Sequence, residues 1–401
     1  MNDITIIGGG LVGGTMALGL AQNGFSVTII DAHKKGSQTK RAFDGRSYAL
    51  AQATIRMFTV LGLWADLQAN AQPILQVKAS DGRAGQGPAP WHLHFDHDDL
   101  GEGPMGFMVE DRFVRLALSN ALNTTPNITQ IFGHTVTAQD GGVITLDNGT
   151  HIQANLIIGC DGRQSSTAQR AGIKRRVTNY HQTALVCAID HDLPHNGIAH
   201  QFFMPEGPLA ILPLPGNRSS IVWSDQTDRA KAINDLPDAE YLEFLRPRFG
   251  DFLGDISLTG ARFTYPLTLT VASEMTAARM ALAGDAAQGV HPIAGQGLNL
   301  GLRDVATLVE VVTRAKRRGE DFGAADVLQR YADWRSFDRT TLTTATDGFN
   351  RLFSNDNALL RPLRDFGMAA VSAAPNLRRA FMREAAGMSG DIPYLLQGKA
   401  L

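Results

Sequence analysis

The chain opens on a β-branched run, Ile4 to Ile7, breaks into glycines, continues as a segment of helical period, and reaches the apolar run Phe25 to Ile30 before Asp31. That order predicts a βαβ unit. From Arg46 to Trp64 the apolar residues Leu50, Ile55, Phe58 and Leu61 recur at helical spacing, which predicts a second helix packed on the same sheet. Residues 73–104 are dense in Pro, Gly and Asp and read as strands and loops leaving this layer. Asp111 to Leu122 reads as a helix, and Val143 to Leu146, followed by Asp-Asn-Gly, as a hairpin strand with its turn.

The texture changes near residue 180. Short β-rich runs at 183–189, 200–204, 209–213 and 220–223 are separated by Pro, Gly and Asn, so an antiparallel sheet is expected between nucleotide-binding halves. A strand from Phe263 to Val271 leads to a glycine-rich segment at 284–301, a helix through Val312, and a helical C-terminal part from about 325. The fold class is α/β: a Rossmann-like domain with an inserted antiparallel sheet and a helical C-terminal region.

Composition narrows the function. With 37 Lys+Arg against 39 Asp+Glu the net charge is -2, which disfavours nucleic acid as a partner. Apolar residues make up 44% and charged residues 19% of 401 positions, the balance of a soluble globular protein. Cys160 and Cys187 are the only cysteines and form no CxxC, so neither a disulfide framework nor a dithiol centre is available and a cytoplasmic setting fits. No apolar run approaches the about 18–20 residues that span a bilayer, so membrane contact is expected to be peripheral at most.

Three glycine-bearing turns carry the candidate chemistry. Gly8, Gly10 and Gly13 form GxGxxG between a strand and a helix, with Asp31 closing the next strand. One glycine makes the turn, one lets the backbone approach a pyrophosphate, and one lets helix and strand pack closely. The helix start then favours negative charge, and Asp31 can accept from an adenosine ribose hydroxyl. In the second turn an apolar strand ends at Gly159 and Asp161–Gly162 follows, its carboxylate and amides available to a ligand at the sheet edge. In the third, Asp285 ends a strand, and His-Pro-Ile-Ala-Gly-Gln-Gly leads into a helix expected near Leu298. His92, His94 and His97 with Asp96, Asp98 and Asp99 read as solvated loop residues, and no metal site is expected. His291 reads as a packed histidine, and Phe349 to Arg383, mixing Leu and Phe with Arg, reads equally as a helical cover or as a contact for a membrane or partner.

In this order and separation the three turns resemble those of the class A FAD-dependent aromatic hydroxylases related to para-hydroxybenzoate hydroxylase. The stretches RSYALAQATIRMFTVLGLW, GPMGFMVEDRFVRLAL, GPLAILPLPGNRSSIVW and GDAAQGVHPIAGQGLNLGLRD resemble more closely the ubiquinone-biosynthesis hydroxylase (UbiH/VisC-like) branch. The resemblance implies FAD, with its adenosine diphosphate at Gly8, Gly10, Gly13 and Asp31 and with Arg46 and Arg112 reaching the pyrophosphate or ribityl region. It further implies Asp161 and Gly162 near the cofactor, Gly284 and Asp285 at the ribityl chain, and Pro292, Gly295, Gln296, Gly297, Leu298 and Asn299 against the flavin ring. After Arg163 the sequence departs from the pattern, since relatives more often carry an Arg two or three residues before the place of Arg170.

By the same resemblance an NAD(P)H donor reduces the flavin, O2 is the co-substrate, and one oxygen passes to the ring of a polyprenyl phenol without a protein nucleophile. Other ubiquinone-biosynthesis proteins and the inner membrane are the implied partners. The FAD-binding domain is expected in three parts, 1–72, 105–178 and 273–325; 73–104 and 179–272 form the substrate domain, and 326–401 the helical region. Phe203, Leu212, Pro213 and Trp223 are candidate pocket lining. Three alternatives stay open: a hydroxylase of a soluble aromatic, a reductase of prenyl double bonds, and a flavin-binding assembly subunit.

Overall fold

The computed structural model describes residues 2–37, 39, 42–85, 87–289, 296–336 and 374–401. Its first sheet has a parallel centre, Met280–Leu282, His151–Gly159, Asn2–Ile7, Val27–Asp31 and Ile128–Phe132, in that spatial order. At the centre of the sheet Ile4, Ile6 and Ile7 and the run Leu156–Ile158 are apolar because both faces are covered: Ile4, Ile6, Leu156 and Ile158 are fully buried. The helices Leu11–Gln22, Asp111–Thr124 and Gln296–Arg317 pack together on this sheet. Two glycines in the first helix permit it, since a Cβ at Gly14 would lie 2.8 Å from Leu118 and one at Gly19 3.2 Å from Val309.

The second sheet runs Gln288–Gly289, Ile256–Ala272, Arg175–His191, Arg218–Gln226, Leu209–Leu214, Ile198–Phe203, Gln76–Arg83 and Gly87–Asp96. All its pairings are antiparallel except that of Ile198–Phe203 with Gln76–Arg83. Strand alternation divides its faces. Leu185, Cys187, Leu209, Ile211, Ile221 and Trp223 pack beneath the helices Thr227–Asn234 and Asp238–Phe249. The opposite face meets a small third sheet, Ser47–Ala51, Gly106–Glu110 and Ala71–Ile74, through Ala188, Leu212, Leu214 and Met108.

Two expectations need correction. The helix expected over Arg46 to Trp64 begins only at Gln52, because Ser47–Ala51 is a strand paired antiparallel with Gly106–Glu110. The last long helix starts at Gln296 rather than near Leu298. Of the segment 349–383, residues 349–373 lie outside the described residues, as does His291. The helix Pro375–Ala385 keeps Leu377 and Phe381 exposed, while Arg378 and Arg383 pair with Asp99 and Glu102. Among the described residues no helix is long and apolar enough to cross a membrane.

Candidate functional site

The first turn is held by backbone contacts that only glycine allows. Gly8 has φ +101°, its amide donates to Ile30 O at 2.8 Å, and a Cβ there would sit 2.4 Å from Cys160 O. A Cβ on Gly13 would stand 1.9 Å from Gly8 O. Helix Leu11–Gln22 has no side-chain cap, and a Cβ on Gly10 would meet nothing within 4 Å. The first-turn amides therefore face open space and want an acceptor. Asp31 lies beside them, 6% exposed, accepting from the Gly9 amide at 2.7 Å and from the His33 amide at 2.7 Å. The His33 ring Nδ1 also lies 2.9 Å from Oδ1, so Oδ2, bonded only to the Gly9 amide, is the oxygen that keeps a lone pair for a further donor. Uncapped amides, an unfilled Gly10 and a buried carboxylate are the set a dinucleotide's diphosphate and ribose require, and FAD fits them.

All three turns meet here. Gly8 touches the second turn, its added Cβ being 2.9 Å from Asp161 Cα. Val12, in the first turn of the first helix, packs on the third, 3.1 Å from a Cβ added to Gly284 and 2.9 Å from one added to Gly301. Arg163 Nε donates to Asp285 Oδ2 at 3.1 Å, and Arg175 donates to Asp285 O at 3.0 Å, which ties the second turn to the third. Behind the third turn stands a fully buried ion pair: Asp304 Oδ2 accepts from Gly284 N at 2.9 Å, and Arg335 Nε donates to Asp304 Oδ1 at 2.7 Å. Tyr331 adds a bond from its hydroxyl to Leu282 O at 2.8 Å.

Asp161 braces the second turn from within. Its carboxylate accepts from the Ser165 hydroxyl, the Thr167 amide at 2.9 Å and the Thr167 hydroxyl at 2.9 Å, so it orders the start of helix Ser166–Arg170. Gly162, at φ +78°, makes the turn beside it and has open space around its Cα.

The arginines also sort differently. Arg46 pairs with Asp44 at 2.8 Å and Asp111 at 3.2 Å, and the Asp44 bond holds its guanidinium above its ordinary pKa despite burial. Tyr48 donates to Asp111 at 2.6 Å; burial first, then the Asp111 charge, pushes its phenol up and keeps it neutral. Arg112 pairs with Glu110 at 2.6 Å and covers the Phe113 ring at 4.5 Å. Arg115, which the sequence reading missed, lines the cavity that also holds Gly9, Gly10, Asp31 and Leu118. Its signal was helical spacing: Arg115, Leu118 and Leu122 share one face of Asp111–Thr124.

At the start of the long helix, Gly297, Leu298 and Asn299 are half-buried; Pro292 and Gly295 lie outside the described residues, and Gln296 is described only as the first helical residue. The Asn299 side chain joins two elements. Its Oδ1 accepts from Ala51 N at 2.9 Å and Thr54 Oγ1 at 2.9 Å, and its Nδ2 donates to Ala49 O at 2.8 Å. It fastens the long helix to the strand and helix of 47–60. Asn299→Ala is expected to lower unfolding free energy by about 1–3 kcal/mol, since Ala51 N loses its acceptor. Chemical denaturation measures it.

Phe263, Val186, Val222 and Ala210 stand in register across four strands of the second sheet, on the face away from its helices. Arg46 covers the Phe263 ring at 5.6 Å. Leu212 and Phe203 share that face. Trp223 and Pro213 do not: alternation turns both toward the helices, where Trp223 meets Tyr241 edge-on at 6.3 Å and lies under Arg248 at 4.6 Å.

Comparison with known proteins agrees with this geometry. The family described as FAD binding domain matches residues 1–336. "Ubiquinone hydroxylase UbiL" of Rhodospirillum rubrum is 42% identical over 406 aligned residues, covering 100% of this chain and 93% of its own. The "3-demethoxyubiquinol 3-hydroxylase" of Escherichia coli is 33% identical, covering 96% of this chain and 98% of its own. Among solved structures, p-nitrophenol 4-monooxygenase PnpA of Pseudomonas putida superimposes with a TM-score of 0.79 at 19% identity, over 97% of this chain and 98% of its own, a likeness of fold.

Proposed function

The chain belongs to the FAD-dependent aromatic monooxygenases, and from that premise we propose that it hydroxylates the ring of a polyprenyl phenol on the route to ubiquinone, using O2 and NAD(P)H. The observation that carries the reading is the meeting of the three glycine turns at one uncapped helix start. Bound FAD supplies two electrons from the nicotinamide donor and the activation of O2 for transfer of one oxygen to the ring.

The chain's residues hold and enclose. The first-turn amides of Leu11–Gln22, with Arg115 across the cavity, take the diphosphate. Asp31 takes a ribose hydroxyl. Asp285, held between Arg163 and the Gly284 turn, presents a carboxylate to the ribityl chain. The row from Phe263 to Ala210 gives the ring an apolar roof that excludes water. An electron-rich phenol ring needs no protein nucleophile, and none is assigned. Leu377 and Phe381 on Pro375–Ala385 offer apolar contact for approach to the inner membrane, where a polyprenyl substrate resides.

The test supplies purified, flavin-loaded protein with a prenylated phenol in detergent, NADPH or NADH, and isotopically heavy O2. The expected product gains one heavy oxygen on the ring, and nicotinamide oxidation stops without O2. Continued oxidation without O2, with loss of a prenyl double bond, would replace this reading by a reductase. Turnover of only unprenylated phenols would place the substrate among soluble aromatics.

A further inference from the structure

On the helix-covered face of the second sheet, opposite the Phe263 row, a cavity of about 590 Å3 opens between the edge strands and the end of Asp238–Phe249. That size lies within the ~300–1,000 Å3 typical of small-molecule sites. Its apolar wall is a connected series of rings. Phe249 and Phe252 stack at 5.3 Å, Phe252 lies 4.6 Å from His200, and His200 lies 5.9 Å from Phe202.

The polar side is cationic. Lys78, Arg246 and Arg248 line the cavity against one acid, Asp251. Lys78 is in register with His200 on the neighbouring strand and, among the described residues, has no ion-pair or hydrogen-bond partner. His200 cannot share the charge: burial first, then Lys78, pushes its pKa down to about 4, so it is neutral at pH 7. Arg248 is 7% exposed; its NH1 donates to Phe244 O at 2.9 Å, while its buried Nε has no partner. A half-buried ammonium without a counter-charge, beside a ladder of rings, matches one ligand chemistry.

We propose that this cavity binds an amphiphilic carboxylate, its anionic end at Lys78 and its apolar body along Phe252 and Phe249. The site is separated by the thickness of the sheet from the Phe263 row, the face assigned above as the roof of the ring, so it is a second site and not an extension of the first.

Isothermal titration of the flavin-loaded protein tests this with dodecanoate, an acyl source, and biphenyl-4-carboxylate, an aromatic one. Saturable binding of either supports the site, and the tighter of the two identifies the source. Lys78→Met is expected to weaken binding about tenfold or more, as is replacing dodecanoate by uncharged dodecanol. Lys231→Met, on an exposed helix elsewhere, leaves affinity unchanged. No saturable heat from either acid up to its solubility limit, or equal affinity for dodecanoate and dodecanol, overturns the proposal. Flavin turnover plays no part in the readout, so failure here leaves the hydroxylase reading standing, and the reverse.

Discussion

Gly13→Ala is expected to give a colourless protein. The new methyl would lie 1.9 Å from Gly8 O and 3.2 Å from Cys160 Cβ. The carbonyl cannot swing aside, because Gly8 is fixed by its amide bond to Ile30 O and packs on Cys160 O. The helix start must lift instead, carrying its free amides away from the diphosphate position. Overpacking costs about 1–3 kcal/mol, and a backbone-on-backbone clash belongs at the upper end. That corresponds to about a hundredfold in flavin affinity. The flavin-to-protein absorbance ratio after gel filtration, with a fluorescence titration of added FAD, measures it. Gly10→Ala is the comparison: its backbone, at φ -66°, suits any L residue and its Cβ has open space, so stability should hold and any flavin loss reports the ligand's own close approach. Full flavin retention by Gly13→Ala would remove the turn from the binding site.

The second large effect is expected from Arg335→Met. Asp304 would then be a carboxylate with no exposure that has lost its Arg335 partner, still bonded to Gly284 N. Removing one member of a buried pair costs about 3–5 kcal/mol. With an unfolding entropy of about 2.1 cal/mol/K per residue, 401 residues convert this to a Tm lower by about 4–6 °C. Flavin should also bind less tightly, because the Gly284 turn loses its support. The double variant Asp304→Leu with Arg335→Met should recover most of the Tm, since two apolar side chains leave no stranded charge, yet not the flavin affinity. Recovery of both would make the pair a matter of stability alone.

The turns were readable because each depends on local residue types. GxGxxG between strand and helix, with Asp31 after it, specifies its geometry without distant partners. Arg112 and Arg115, three residues apart, could not be told apart by type; only the packing of Leu118 and Leu122 on the first helix shows which of the two lines the cavity, where Arg115 Nε is held by Asp111. The strand Ser47–Ala51 was hidden because Leu50 and its alanine neighbours suit either period, and its partner Gly106–Glu110 is far along the chain. The donors to Asp161, Ser165 and Thr167, were not legible because they lie in the stretch where the family pattern is broken. Trp223 was misplaced for want of one register, which pairs it with Leu185 and Leu209 on the helix side.

The pairing of Ile198–Phe203 with Gln76–Arg83 has a bearing on how the chain is made. A hairpin synthesised early must wait, edges unsatisfied, until more than a hundred further residues have emerged to complete its sheet. Such long-range closure slows folding and leaves an intermediate prone to aggregation. A shortened gene encoding only 179–272 would yield a sheet lacking three of its eight strands, Gln288–Gly289 at one edge and Gln76–Arg83 with Gly87–Asp96 at the other, so expression trials on that fragment should give inclusion bodies where the whole chain gives dispersed protein.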